Sequence, residues 1–306
     1  MRSLDQFLLF IVLPFVLLVS LLEAVVLSQI KQAEPYDWRA AGVSFLDFIL
    51  RVGMQIVLPL SIATPVINWA VAHRQGEIAM DATWAFALLF IGQEFCYYWF
   101  HRAAHRVRWF WCNHAVHHSS NQLNLAAALR IGIFGRLSGT QVFFIPMIFI
   151  GFDALLVFDV LTLNLLYQFW VHATWIPKLG PLEWVLNTPS AHRVHHASNL
   201  EYLDANYGGV LIVFDRLFGT YRAEDAAIAC RYGLTEPILS YNPIKIELTQ
   251  WGLLAKDLFK ARSLRAVVGY LFKPPGWQPS GEQFTTEAAR EKARLKVHTK
   301  ARTKAA

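Results

Sequence analysis

Four long apolar runs are separated by polar segments along this chain, and the later polar segments carry clustered histidines. The first run, FLLFIVLPFVLLVSLLEAVVL, extends from Phe7 to Leu27. About twenty residues cross the hydrocarbon core of a bilayer, so this run predicts a membrane helix kinked at Pro14. It is too long for the apolar core of a cleaved leader, and no A-x-A site follows it. A second run covers about Val52 to Ala72, with Pro59 and Pro65 inside it. A third begins near Ala82 and continues through FALLFIGQEFCYYWF to His101. The fourth, Val142 to Val171, is interrupted by Gly151-Phe152-Asp153 and predicts a helical hairpin that crosses or dips into the bilayer.

The pattern predicts an all-α integral membrane bundle of about four spans, the last a broken hairpin, with a helical cap on the cytoplasmic side. Residues 1–81 read as an N-terminal transmembrane region and 82–250 as the catalytic domain. Residues 251–284 read as an amphipathic segment and 285–306 as a basic tail, either a solvated helix or disordered. Composition agrees: the chain is 55% hydrophobic and 16% charged, against roughly 25% charged in an average soluble domain. The net charge of +6 includes the excess of the tail TEAAREKARLKVHTKARTKAA, which suits an anionic cytoplasmic leaflet. The positive-inside bias puts the segments 101–138 and 177–221 on that face. This fits a bacterial inner membrane with the histidines toward the cytoplasm. With no nucleic-acid motif beside so modest an excess, nucleic acid is a poor partner.

Eight of the eleven histidines fall into three boxes: His101 and His105 in HRAAH, His114, His117 and His118 in HAVHH, and His192, His195 and His196 in HRVHH. Residues three or four apart share a helix face, so each box predicts imidazoles aimed at one point. An octahedral ion takes about six donors at most, so eight imidazoles imply two ions. Imidazole suits Fe, Zn, Cu and Ni. Two irons with open positions could activate O2 and attack an unactivated C–H bond of a lipid, while zinc could replace iron in a purified sample. His172, after LYQFWV, is a ninth candidate ligand. Cys96, Cys112 and Cys230 form no CxxC pair and read as buried thiols.

Glu94 lies two turns before His101, and a carboxylate there is expensive unless paired. It is expected to orient His101 or His105, since a metal-bound imidazole needs a partner for its other nitrogen. Asn124 and Asn187 are weaker candidates for supporting the site, as are Asn206 and Asp215. DANYGG, Asp204 to Gly209, reads as a turn. Two other functions compete. A histidine-rich metal transporter or sensor would normally carry ionisable residues through successive spans. A metal-dependent lipid hydrolase would need fewer imidazoles, and no HExxH occurs.

The three boxes around an apolar hairpin resemble the fatty acid hydroxylase superfamily, also called the sterol desaturase family. The resemblance covers roughly residues 85–250 and includes EFCYYWFHRAAH, LYQFWVH, GPLEWVLNTPSAHRVHH and NYGGVLIVFDRLFGTY. In detail it is most similar to the alkylglycerol monooxygenases and to bacterial sterol-desaturase-like proteins. It implies a membrane di-iron enzyme that hydroxylates, desaturates or oxidatively cleaves lipids with O2, the eight boxed histidines being ligands and His172 an additional one. It also implies a separate electron donor, which is a ferredoxin, a cytochrome or a pterin-type reductant. The alkylglycerol monooxygenases use tetrahydrobiopterin and carry a glutamate directly after HRxxH, where this chain has Arg106. The boxes therefore carry the metal expectation, and Arg106 separates it from the pterin and ether-lipid expectations.

Overall fold

Proline and capping residues decide where the apolar runs become helices. The computed structural model describes residues 3–30 and 34–305. Helix α1, Leu4–Gln29, is continuous, but it widens into a π turn over Leu8–Val12, just before Pro14, where the Leu13 N–H donates to the Leu8 carbonyl. Such a turn is one way a helix accommodates a proline. Phe10, Phe15 and Leu22 of α1 are more than half exposed, whereas Ser20 and Glu23 are buried. The Glu23 carboxylate accepts from the Leu125 N–H at 2.7 Å and the Trp175 Nε1–H at 2.9 Å. An acid inside an apolar helix is thus used to dock the polar segments.

Helix α2, Trp38–Val57, starts where Asp37 accepts from the backbone N–H groups of Arg39 and Ala40, a regular N-cap. The chain then leaves the helix, and α3 covers only Thr64–Ala72. This corrects the expectation of a span over 52–72. Pro59 lies in the break and Pro65 in the first turn of α3, the one helical place where its missing N–H costs nothing. Among the described residues, the helices long and apolar enough to cross a membrane are α1 and α2.

Helix α4, Thr83–Arg106, carries the first histidine box. Val107 is extended, with φ −118° and ψ 116°, and α5, Arg108–His117, starts directly after it. In the fourth run, short helical turns over Thr140–Phe149 meet α6, Ala154–Trp170. Gly151 has φ 122° and Asp153 caps α6 by accepting from the Leu156 N–H, so the break falls at the interrupting residues. Leu89, Cys96 and Tyr97 of α4 pack with Phe144, Met147, Ile148 and Phe152 in the largest apolar cluster.

Helix α7, Pro189–His196, carries the last box. Helices α8, Pro243–Lys260, and α9, Leu264–Phe272, cover α5, burying Cys112 with Leu254, Ala266 and Tyr270. Arg108 ties this cover down through Asp257, at 2.6 Å. The tail forms α10, Thr286–Ala305. Among the described residues no strand forms, and the chain is all-helical apart from turns and two isolated bridges.

Candidate metal centre

Nine histidines converge in two groups. His101, His105, His114, His118 and His195 form one, and His117, His172, His192 and His196 form the other; within each group the candidate ligand atoms lie within 4.8 Å of one another. The boxes do not each aim at one point, as their spacing suggested. In HAVHH, His114 and His118 join the first group and His117 the second. In HRVHH the roles exchange: His192 and His196 join the second group and His195 the first. Successive residues on a helix diverge by about 100°, so i+4 lies about 40° to one side of i and i+3 about 60° to the other; the two later rings of each box point apart enough to serve neighbouring sites. Two interleaved helical boxes thereby build two adjacent sites.

The outer ring nitrogens fix the tautomers. Nδ1 of His101 donates to the Tyr207 carbonyl at 2.9 Å, and that of His195 to the Ala205 carbonyl at 3.0 Å. In the second group, Nδ1 of His117 donates to the Arg130 carbonyl at 2.9 Å and Nδ1 of His172 to the Gln168 carbonyl at 2.7 Å. A carbonyl only accepts, so the single proton of each neutral ring sits on Nδ1 and the inward Nε2 carries a lone pair. Nε2 of His117 and Nε2 of His172 nevertheless face each other at 3.4 Å. Two facing lone pairs repel unless a cation lies between or beside them. In the first group, the His195 Nε2 is buried with no hydrogen-bond partner among the described residues. Leaving such an acceptor bare costs about 1–3 kcal/mol. The donor set therefore fits metal ions. The Nδ1 of His192, by contrast with these four, is buried without a partner among the described residues.

Electrostatics favour the same state. Burial, opposed by the Arg130 carbonyl, pushes the His117 ring down to about 4, and burial pushes His195 down to about 3. His114, His118, His172, His192 and His196 are also held well below the ordinary imidazole range by burial first and by each other second. At neutral pH these rings are neutral, the form that binds a metal.

The supporting residues differ in part from those expected. Glu94 does not hydrogen-bond to His101 or His105 among the described residues. Its carboxylate accepts from the N–H groups of Val210 and Leu211, both at 2.8 Å, and from the Asn164 amide. Asn124 caps a local turn by accepting from the Ala127 N–H at 3.0 Å. Asn187 donates to the carbonyls of Gly208 and Gly209 at 2.8 and 3.1 Å. Orientation of the rings falls instead to the DANYGG turn. Asp204 and Asn206 adopt left-handed φ of 55° and 59°, a region that Asp and Asn tolerate better than most residues. Between and after them, the Ala205 and Tyr207 carbonyls reach the two rings. Asp215 clamps the turn by accepting from the N–H groups of Tyr207 and Gly208, both at 2.7 Å. Backbone acceptors have no side-chain signature, which is why the sequence named the turn but not its role. Cys112 faces away, its Sγ lying 3.5 Å from the Gln250 carbonyl.

Residues 86–220, which hold all nine histidines, match the fatty acid hydroxylase family model. Over those residues the chain is similar to the fatty acid hydroxylase family. It is 37% identical over 268 residues to human alkylglycerol monooxygenase, covering 87% of this chain and 59% of that protein. It is 41% identical over 207 residues to the Xenopus tropicalis alkylglycerol monooxygenase, covering 68% and 46% respectively. To the ornithine lipid hydroxylase OlsE of Rhizobium tropici it is 25% identical over 225 residues, covering 69% and 68%. The chain thus spans about half the length of the alkylglycerol monooxygenases it matches. No solved structure matches it.

Proposed function

We propose that this chain is a membrane-bound, di-iron, O2-dependent oxidoreductase that hydroxylates a C–H bond of a lipid, or desaturates or oxidatively cleaves it. The observation that carries this reading is the pair of inward lone pairs on His117 and His172, repeated in kind by the bare Nε2 of His195. In this reading His101, His105, His114, His118 and His195 hold one iron, and His117, His172, His192 and His196 hold the other. Iron at such sites supplies activation of O2; an imidazole site would also accept zinc from a preparation.

The chain's own residues do the remaining work. The carbonyls of Ala205, Tyr207, Arg130 and Gln168 fix the rings and raise their basicity. Burial keeps the histidines neutral and limits water around the reacting carbon. Asn187 and Asp215 hold the backbone that supplies two of those carbonyls, Glu94 anchors the Val210–Leu211 segment that follows it, and Asn124 shapes the turn after the second box. Residues 82–250 form the catalytic region, residues 251–284 cover it, and the segment from 285 continues as a basic helix. In this reading α4 and the α6 hairpin, which fall short of α1 and α2 in apolar length, join them in the membrane, with the histidines at the cytoplasmic face.

The substrate class rests on the relatives, whose names specify an alkylglycerol and an ornithine lipid. An ether lipid, a sterol or a fatty acyl chain all fit the reading. Electrons come from a separate ferredoxin, cytochrome or pterin-type reductant. Comparative lipidomics of a deletion strain, with and without the gene restored, tests the function. A gain of one oxygen, a loss of two hydrogens or a loss of an ether chain would each support an oxidative role and identify its type. Identical lipid profiles, with the protein present and folded, would contradict it.

A further inference from the structure

Next to the first histidine group, on the far side of the DANYGG turn, lies a cavity of about 190 Å³. Its floor includes Ala205 and Tyr207, the residues whose carbonyls hold His195 and His101. Arg102 and Arg106 enter it from the end of α4, Arg222 from the segment after the Asp215 clamp, and Arg290 from α10. Two acids, Asp204 and Glu287, also line it. Four guanidinium groups against two carboxylates leave the wall at +2.

The acids are not spread over the arginines. Both are used by Arg106, whose Nη1 lies 2.9 Å from Asp204 Oδ2 and also meets Glu287. Arg290 is occupied by the carbonyls of Leu200 and Leu203. Arg102 donates to the Tyr98 hydroxyl at 3.0 Å, and Arg222 to the neighbouring Tyr221 carbonyl at 3.1 Å. Neither has a carboxylate partner among the described residues. Each therefore keeps N–H donors facing one small space with no ion pair to saturate them, although Arg102 also lies over the Trp99 ring, 5.4 Å from its centroid, and interacts with the more distant Asp215 carboxylate.

We infer that this cavity is a binding site for a compact phosphate group. Guanidinium forks match phosphate oxygens in geometry and charge. A phosphate monoester carries about −1.5 to −2 at pH 7, close to the charge needed to neutralise the wall. The volume is below the roughly 300–1,000 Å³ of pockets that enclose drug-sized ligands, so it suits a single anionic group. The group could belong to a soluble phosphate compound or to a phospholipid headgroup. Glu287 competes for the site: it brings α10 over the cavity and takes up Arg106.

The test is residue-level protection from phenylglyoxal, a reagent for arginine, mapped by mass spectrometry on the full chain. Inorganic phosphate should protect Arg102 and Arg222 saturably in neutral detergent, and chloride at equal ionic strength should not. Glu287→Gln frees Arg106 and should lower the half-protecting phosphate concentration by about two- to fivefold, the scale of a partly exposed ion pair. This gain cannot arise from misfolding. In bilayer discs without free phosphate, protection by phosphatidylglycerol but not phosphatidylcholine would identify a headgroup as the source. Protection by soluble phosphate alone would identify a free anion. Equal labelling under all these conditions, or an unchanged half-protecting concentration in Glu287→Gln, would overturn the site. The readout needs no turnover, so this inference and the iron reading fail separately.

Discussion

His117 and His118 are adjacent in sequence but serve different histidine groups. Nε2 of His118 approaches Nε2 of His114 at 3.2 Å, and Nε2 of His117 approaches Nε2 of His172 at 3.4 Å. One covalent step along the chain therefore separates two metal-binding environments.

This division predicts that His117→Ala and His118→Ala are not equivalent. Each should weaken one iron-binding step by at least about tenfold, the scale seen when even an outer partner of a ligand is lost. Stepwise Fe(II) titration of the apo protein should show a different step affected in each variant. Identical losses of both steps in both variants would argue for one shared site.

The Asp215 clamp should matter without touching a metal. Asp215→Asn places an amide where two backbone N–H groups and the Thr220 hydroxyl need an acceptor. The Tyr207 carbonyl, and with it His101, then loses its fixed position. Iron affinity of the first group should fall by about 10- to 100-fold, while the second group changes little. Circular dichroism checks that the helices persist.

Much of this was legible in the sequence, and the rest was hidden for definable reasons. The boxes fall on helices because i, i+4 histidines and the runs before them share helical periodicity, and Gly151-Phe152-Asp153 marks a real break. The split of each HxxHH was implicit in the 100° step between neighbours, but choosing which ring faces which site required knowing how α5 and α7 face each other. The long helix Trp38–Val57 was missed because its start depends on the Asp37 cap, whereas hydrophobicity drew attention to the proline-broken stretch after it. Glu94 was expected to orient His101 or His105, yet its carboxylate accepts from the Asn164 amide and from backbone groups more than a hundred residues later.

Glu94 offers a test of that distinction. Glu94→Gln points an amide at donors that need an acceptor, a loss of about 1–3 kcal/mol for buried groups left unpaired. The melting temperature should fall clearly. Iron per chain at saturating Fe(II) should stay at the wild-type value, because no ring loses its contact. Loss of iron with unchanged melting would instead assign Glu94 a direct role at the histidines.

Gly208 is a sharper steric prediction. A Cβ there would lie 2.2 Å from the Leu211 carbonyl oxygen, a backbone atom that cannot rotate away. Overpacking of this kind costs about 1–3 kcal/mol or more. Gly208→Ala should therefore lower both thermal stability and iron retention, as followed by differential scanning fluorimetry and metal analysis. Gly252→Ala, where a Cβ meets nothing within 4 Å, should change neither.

The most direct measurement is iron per chain in anaerobically reconstituted protein, read by elemental analysis alongside Mössbauer spectroscopy. With two histidine groups side by side, a two-iron centre is expected, one iron in each group, with spectra showing two interacting ions. Both irons should be needed for O2-dependent turnover of lipid. A protein that binds a single iron, or none, while retaining full O2-dependent activity would contradict it.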